Sequence, residues 1–300
     1  IKQLPGRKSD IKDAEWIATC LRKELIRGSY VPDSTIQQLR QYNRRIFDIN
    51  KQSVYIQNKI DAALQRCNIR IGNYISNVRA KSYCQIVDML SEGKTSPELL
   101  IVKVHKRTVN KWGRETILAA LEGVVNKTDC RILKQLKEEL DMLRRHKVEC
   151  LVMLREICME NYKEQLLDIQ TIPGIGEQGA MQIIAETGVD MKAFMTAAML
   201  VGWAGLKPRN DESNGKFKSR STTHGNKYLR KILIECAWGA SRTQGCFFNK
   251  FSYHQTMVRK KNRQKVQVAI ARKILVVIWH ILENGVVYND IFGKGKAKDK

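Results

Sequence analysis

The sequence has 300 residues, 43% apolar and 28% charged, a balance typical of a globular protein with two or three domains. No apolar run reaches the roughly 18 residues of a membrane span, and the N-terminus, with neither an initiator Met nor an apolar stretch, predicts a fragment without a signal peptide. The 53 Lys and Arg against 30 Asp and Glu give a net charge of +23. This excess predicts a polyanionic partner, and nucleic acid is favoured over a membrane surface because no lipidation signal is present.

The eight cysteines are scattered along the chain without a C-x-x-C pair. The spacing excludes a standard zinc site, and a disulfide framework is not expected in a chain of this size. Reduced thiols packed in a core are therefore predicted.

Residues 8–28 are predicted to form a helix with one apolar face, and Ser9 or Asp10 is predicted to cap its N-terminus. Apolar residues then alternate at steps of three and four over 39–63, and again over 133–157. This is the spacing of coiled-coil seams. The two seams fit either an antiparallel helical hairpin within one chain or the interface of a dimer.

After residue 162 the chain is richer in small residues. Helices are expected near 177–187, 193–203, 226–241 and 263–284, with no strong strand and a Gly/Lys-rich tail at 293–300. The predicted fold class is therefore mainly α.

Asp10 and Asp13 lie three residues apart, so one helical face would present both carboxylates to a divalent ion. Helix capping and a favourable interaction with the helix dipole explain the same two residues without a metal.

The segment Ile172-Pro-Gly-Ile-Gly-Glu-Gln-Gly-Ala180 has the pattern of a helix-hairpin-helix turn. Gly174 and Gly176 would let the backbone approach a phosphate at a helix N-terminus. A tight turn between packed helices is the alternative.

The stretch from Gly205 to Lys231 contains eight basic and two acidic residues among Ser, Thr, Asn and Gly. This mixture favours contacts with phosphates. The candidate nucleic-acid-binding residues here are Lys207, Arg209, Lys216, Lys218, Arg220, Lys227 and Arg230. Ser213 lies in the same stretch, in a Glu-Ser-Asn-Gly turn. A second basic region, 259–273, has seven basic residues and no acidic one, on a solvated or a nucleic-acid-binding face.

The order of these motifs resembles that of the Piv-like DEDD transposases of bacterial insertion sequences. The resemblance covers essentially the whole chain. It rests on Lys8-Ser-Asp-x-x-Asp-Ala, Tyr30-Val-Pro, the coiled-coil insert, Ile172-Pro-Gly-Ile-Gly, Trp203-Ala-Gly-Leu-Lys-Pro, Asn210-Asp-Glu-Ser-Asn-Gly-Lys and Gly225-Asn-Lys-Tyr-Leu-Arg.

This resemblance implies an N-terminal RuvC-like domain of RNase H fold with four acidic residues that bind Mg²⁺. Asp10 and Asp13 match the last pair, and the first Asp and the Glu would lie upstream of Ile1. It also implies a C-terminal domain whose serine attacks DNA, and Ser213 is the match, although Asn214 stands where the family often has Ala or Gly. The family's bridge RNA, which selects donor and target DNA, is implied as a partner.

The predicted organisation is the end of a truncated RuvC-like domain at 1–32, a helical coiled-coil region at 33–162, an α-helical transposase domain with a helix-hairpin-helix-like element at 163–292, and a basic tail. The predicted function is RNA-guided, Mg²⁺-dependent DNA insertion by a homo-oligomer, a dimer or tetramer, at the nucleoid in the bacterial cytoplasm. One alternative is a non-catalytic nucleic-acid-binding remnant. Another is a structural scaffold in which Ser213 is dispensable.

Overall fold

The computed structural model describes residues 10–25, 31–75, 77–209, 211–213, 216–219 and 221–289, with the side chains of 211–219 excluded. The chain divides into two compact units, residues 1–34 and 35–300. In the first unit, helix α1 spans Asp10–Arg22 and buries Cys20. The predicted helix at 8–28 is therefore present but ends earlier than predicted, at Arg22, because residues 23–25 are no longer helical. Of its two candidate caps, Asp10 is the first helical residue and Ser9 lies outside the described residues.

Two long helices organise the second unit. Helix α2 spans Ser34–Arg66 and α7 spans Lys127–Asn161. They are antiparallel neighbours, because Arg66 at the end of α2 forms an ion pair of 2.9 Å with Asp129 in the first turn of α7. Seam residues such as Ile49 and Leu133 are fully buried within the chain. These positions are covered within one chain, which favours the hairpin alternative.

Four short helices pack against the C-terminal part of α2 and the N-terminal part of α7. They are α3 (Lys81–Ser91), α4 (Pro97–Ile101), α5 (Lys106–Trp112) and α6 (Arg114–Leu121). Their apolar faces share one core with residues 49–67 and 133–143. Asn126 caps the start of α7. Its side chain accepts from the backbone amide of Asp129, and its own backbone amide donates to the Asp129 carboxylate.

A second core lies at the N-terminal part of α2 and the C-terminal part of α7. It contains the remaining helices, which are α8 (Lys163–Gln170), α9 (Glu177–Thr187), α10 (Ala197–Trp203), α11 (Lys227–Ala240), α12 (Phe247–Tyr253) and α13 (Arg263–Asn284). Helix α13 is apolar around much of its surface and packs against both α10 and α11. The mainly α fold predicted from the sequence is confirmed. No helix in the described ranges is both long and apolar enough to cross a membrane.

The sequence prediction was incomplete between α10 and α11. Instead of a strandless loop, the chain forms an antiparallel hairpin of β1 (Asp211–Ser213) and β2 (Lys216–Ser219). Helix α10 also begins later than predicted, at Ala197, because a separate short turn occupies Met191–Ala193 and Thr196 caps α10. Strands this short carry too little apolar alternation to be recognised from sequence.

Candidate functional site

Ser213 is the last residue of β1 and pairs with Lys216, the first residue of β2. The serine therefore lies beside the hairpin turn. An isolated bridge between Pro208 and Thr222 extends the pairing toward the base of the hairpin. We call residues 207–223 the serine hairpin. The paired strands restrict the backbone that leads to Ser213 more than an open loop would.

Two glycines bring the ends of the serine hairpin together. Gly205 has a φ of +71°, which a residue with a side chain rarely adopts. A Cβ on Gly225 would overlap the backbone nitrogen of Gly205 and the carbonyl oxygen of Trp203. The close approach of the two backbones therefore requires glycine. The motif that begins at Trp203 and the motif that begins at Gly225 thus form one structural element.

Arg230, on the first turns of α11, ties the same base together. Its guanidinium Nη1 donates to the carbonyl oxygen of Gly205 at 2.8 Å and to Oγ1 of Thr222 at 2.7 Å. The side chain is half-buried. Nη1 of Arg230 therefore helps to position the hairpin, and the contact of this residue with nucleic acid stays a prediction.

A buried carboxylate lies beneath this base. Glu186, near the end of α9, is completely inaccessible to solvent. Its Oε2 accepts from the side-chain amide of Asn226 at 2.7 Å, and its Oε1 accepts from that of Asn43 at 2.9 Å. Arg44 lies 3.4 Å from Oε2 and supplies the compensating positive charge. A carboxylate is expensive to bury without such partners, so the four side chains form one interdependent network.

Asn226 has a second role in that network. Its Oδ1 accepts from the amides of Tyr228 and Leu229, and so caps the N-terminus of α11. The backbone amide of Asn226 donates to the Trp203 carbonyl oxygen at 2.9 Å. One residue thereby joins the buried carboxylate, the start of α11 and the end of α10.

A basic and aromatic surface adjoins the hairpin base. Phe47 of α2 and Tyr228 of α11 meet edge to face, with ring centroids 4.9 Å apart. The ammonium of Lys231 lies 4.9 Å from the centre of the Phe47 ring, and the guanidinium of Arg44 lies 4.9 Å from that of Tyr228. Lys227 is exposed 5.0 Å from the same tyrosine ring. Cations interleaved with aromatic rings are typical of surfaces that bind nucleic acid.

The basic and aromatic character continues along α11. Two guanidinium groups lie near the ring of Trp238, that of Arg242 at 5.7 Å and that of Arg263 at 5.0 Å from the ring centre. Arg263 begins α13, in the second basic region found in the sequence. The structure therefore brings that region next to α11.

The two glycines of the helix-hairpin-helix pattern have different surroundings. Gly174 has a φ of +86°, and a Cβ there would collide with the backbone of Ala240 in α11. Packing explains this glycine. Gly176 precedes α9, and a Cβ there would meet nothing within 4 Å. Cys236, at the same junction, is packed in the core, and this burial raises the pKa of its thiol to about 11.

Asp10 and Asp13 lie in the first turn of α1, in the other compact unit. Asp10 is exposed and Asp13 half-exposed, and neither pairs with a cation in the described part of the chain. Two carboxylates on one helical face suit Mg²⁺, which commonly takes one or two carboxylates together with waters and substrate phosphates. Within the described ranges, no cluster of three or more His, Cys, Asp or Glu is arranged around a metal position.

The structure thus brings together the serine hairpin, Lys227 and Arg230. Lys207 and Arg209 are exposed at the hairpin base, Lys216 and Lys218 lie on β2, and Arg220 lies outside the described residues. Sequence reasoning missed the roles of Glu186 and Asn226. Asn226 was the first residue of the helix predicted at 226–241, and an Asn at a helix start is a capping signal. Nothing local indicates that Glu186 is buried.

The comparisons with known proteins agree with these motifs. Residues 167–252 match a family model described as transposase IS116/IS110/IS902 family, and residues 2–69 match a DEDD transposase model. A putative transposase of Sinorhizobium fredii is 23% identical over 97% of the chain. A pilin gene-inverting protein of Moraxella lacunata is 31% identical over 41% of the chain, and the transposase of insertion element IS1111A of Coxiella burnetii is 24% identical over 63%.

The chain spans only part of these relatives. The matched region covers 66% of the Sinorhizobium protein, 37% of the Moraxella protein and 59% of the Coxiella protein.

Proposed function

Because the chain belongs to the IS116/IS110/IS902 family of transposases, we propose that it is a DNA transposase or recombinase whose nucleophile is Ser213. The serine hairpin carries this proposal, since it holds Ser213 next to a turn while its base is fixed by Arg230, Gly225 and Asn226. A nucleophile benefits from a scaffold that limits its motion.

In the proposed reaction the Oγ of Ser213 attacks a DNA phosphorus. One bond forms between phosphorus and Oγ, and the bond between phosphorus and a deoxyribose oxygen breaks. The serine proton is transferred overall to the departing hydroxyl group. The phosphodiester energy is kept in the serine ester, so a second DNA hydroxyl can reverse the step without ATP.

Asp10 and Asp13 would bind Mg²⁺, in a RuvC-like domain that extends beyond α1. When bound, the ion would supply charge stabilisation at a DNA phosphate. The positive surface beside the hairpin would bind the DNA backbone, since Lys227 and Lys231 project cations from α11.

We further propose that a structured bridge RNA selects the DNA, and that the protein works as a homo-oligomer at the nucleoid. The charge of +23 is large enough for a second polyanion beside DNA. Gene inversion, the role printed in the name of the Moraxella relative, is the same class of strand exchange.

A strand-exchange assay with the element's ends, the guide RNA and Mg²⁺ tests this function. Product formation that disappears in Ser213→Ala supports it. Nucleic-acid binding without any strand exchange would instead favour a non-catalytic remnant.

A further inference from the structure

A cleft of about 510 Å³ opens between α2, α7, α9 and α11. We call it the amide cleft, after the three side-chain amides of Asn50, Gln178 and Gln182 that line it. Its size lies within the range of about 300–1,000 Å³ that is usual for pockets binding small organic groups. Its amides take no part in the proposed serine chemistry, and its aromatic wall belongs to the basic and aromatic surface beside the hairpin base.

One wall of the amide cleft is aromatic. Phe47 and Tyr228 both line the cleft and are half-buried, with their rings at 77° to each other. The guanidinium of Arg44 lies 4.9 Å from the centre of the Tyr228 ring, and the ammonium of Lys231 lies 4.9 Å from that of Phe47. Unstacked bases bind to aromatic rings and to arginine planes in this kind of environment.

The three amides are available to a ligand. Throughout the described part of the chain, the side chains of Asn50, Gln178 and Gln182 make no hydrogen bond to another residue. Asn43, which also lines the cleft, differs because its amide is bound to Glu186. A side-chain amide offers both donors and an acceptor, and this combination matches the edges of nucleobases.

Cations surround the cleft. Lys51, Arg79, Lys147 and Lys231 line it, against the single carboxylate of Glu235. Gln57 accepts from Nε of Arg79 at 3.0 Å and so holds that guanidinium in place. Positive charge at the margin of a pocket with aromatic and amide walls suits a phosphodiester backbone whose bases enter the pocket.

From these features we infer that the amide cleft binds unpaired nucleotides of a nucleic acid. A duplex does not fit this chemistry, because its base faces are stacked on one another and cannot reach the aromatic wall. Single-stranded DNA and single-stranded RNA share the required groups, and the test separates them. The inference rests on the proposed action on nucleic acid, but it is independent of Ser213.

Fluorescence anisotropy on the full chain tests the inference, with labelled oligo(dT), oligo(U) and a mixed-sequence duplex at one salt concentration. Phe47→Leu keeps apolar volume but removes the ring, and we expect about tenfold weaker binding of a single strand, the size of one lost base–aromatic stack. Duplex binding should stay within about twofold, because its electrostatic contacts are unchanged. The double variant Gln178→Ala, Gln182→Ala should weaken single-strand binding by about two- to tenfold.

Tyr55→Leu is the matched control. Tyr55 lies on the same helix, is exposed, carries Lys59 over its ring at 4.7 Å and does not line the cleft. It should leave the binding of all three probes unchanged. Thermal melting of each variant checks that the fold is retained.

Loss of oligo(dT) binding alone identifies DNA, loss of oligo(U) binding alone identifies RNA, and loss of both supports the shared chemistry. Unchanged single-strand binding in Phe47→Leu and in the glutamine double variant would overturn the inference, as would an equal loss for the duplex. Those results would leave the proposed serine chemistry standing, since strand exchange is measured separately.

Discussion

The side-chain amide of Asn226 donates a hydrogen bond of 2.7 Å to the buried carboxylate of Glu186. This contact joins the last turn of α9 to Asn226, the residue that caps α11. Since the backbone amide of Asn226 also binds the Trp203 carbonyl, the C-terminal end of the serine hairpin is fixed to two helices at once. The position of Ser213 therefore depends on a residue pair outside the hairpin.

Replacing Asn226 should destabilise the protein more than loss of a helix cap does. Asn226→Ala removes a cap, about 0.5–2 kcal/mol, and leaves a buried carboxylate one donor short, about 1–3 kcal/mol. We expect a total loss of about 2–4 kcal/mol in the free energy of unfolding, measured by urea denaturation. Asn226→Asp retains the cap acceptor but opposes the Glu186 charge, so it should be at least as destabilising.

Asn262→Ala is the control for that experiment. Asn262 caps α13 by accepting from the Gln264 amide at 2.9 Å, and it is exposed and bonds to no carboxylate among the described residues. It should cost only about 1 kcal/mol. Equal losses in Asn226→Ala and Asn262→Ala would show that Glu186 adds nothing.

The sequence predicted what depends on local pattern. The heptad spacing predicted α2 and α7, and the helices predicted at 177–187, 226–241 and 263–284 agree with α9, α11 and α13 to within about one residue. The role of Gly205 and Gly225 could not be predicted, since each is explained only by the other's backbone. Glu186 was missed for the same reason, because its partners lie 143 and 40 residues away.

The apolar residues of the two seams are predicted to stabilise the fold of the single chain. Ile49→Asp places a carboxylate at a fully buried position, and Leu140→Asp does so at one that is 5% exposed. Each should lower the free energy of unfolding by more than about 3 kcal/mol or prevent folding, since a charge is buried without a partner. Thermal melting measures the loss. Val148→Asp, at an α7 position that is 60% exposed, should have little effect.

Light scattering on the same variants separates the two interpretations of the seams. A lower mass at unchanged melting temperature in Ile49→Asp would contradict intrachain packing and favour a seam between subunits.

Lys227 and Arg230 should respond differently to alanine, although both are basic residues of one motif. Lys227→Ala should weaken DNA binding and lower the slope of log K against log salt by about one unit for one lost phosphate contact, with unchanged melting. Arg230→Ala should lower the melting temperature instead, because the Gly205 carbonyl and the Thr222 hydroxyl lose their donor. Identical behaviour of the two variants would refute the positioning role of Arg230.

The buried cysteines should resist alkylation. Burial raises the pKa of Cys158 to about 12 and that of Cys236 to about 11, so very little thiolate is present at pH 8. Maleimide treatment of the native protein, read by mass spectrometry, should modify the half-exposed Cys84 and Cys130 well before these two. Rapid modification of Cys158 would show that its core opens.

The central claim is that Ser213 forms a covalent bond to DNA, and peptide mapping of the adduct tests it most directly. The full-length product of the reading frame that encodes this chain is incubated with element-end DNA, guide RNA and Mg²⁺, then denatured and digested. Ser213→Ala removes one oxygen, should change stability by no more than about 0.5 kcal/mol, and should abolish the adduct. Ser219→Ala and Ser221→Ala, within the same hairpin, should retain it. A nucleotide on the peptide containing Ser213 is the predicted result, whereas an adduct at Ser219 or Ser221, or full strand exchange in Ser213→Ala, would contradict the assignment.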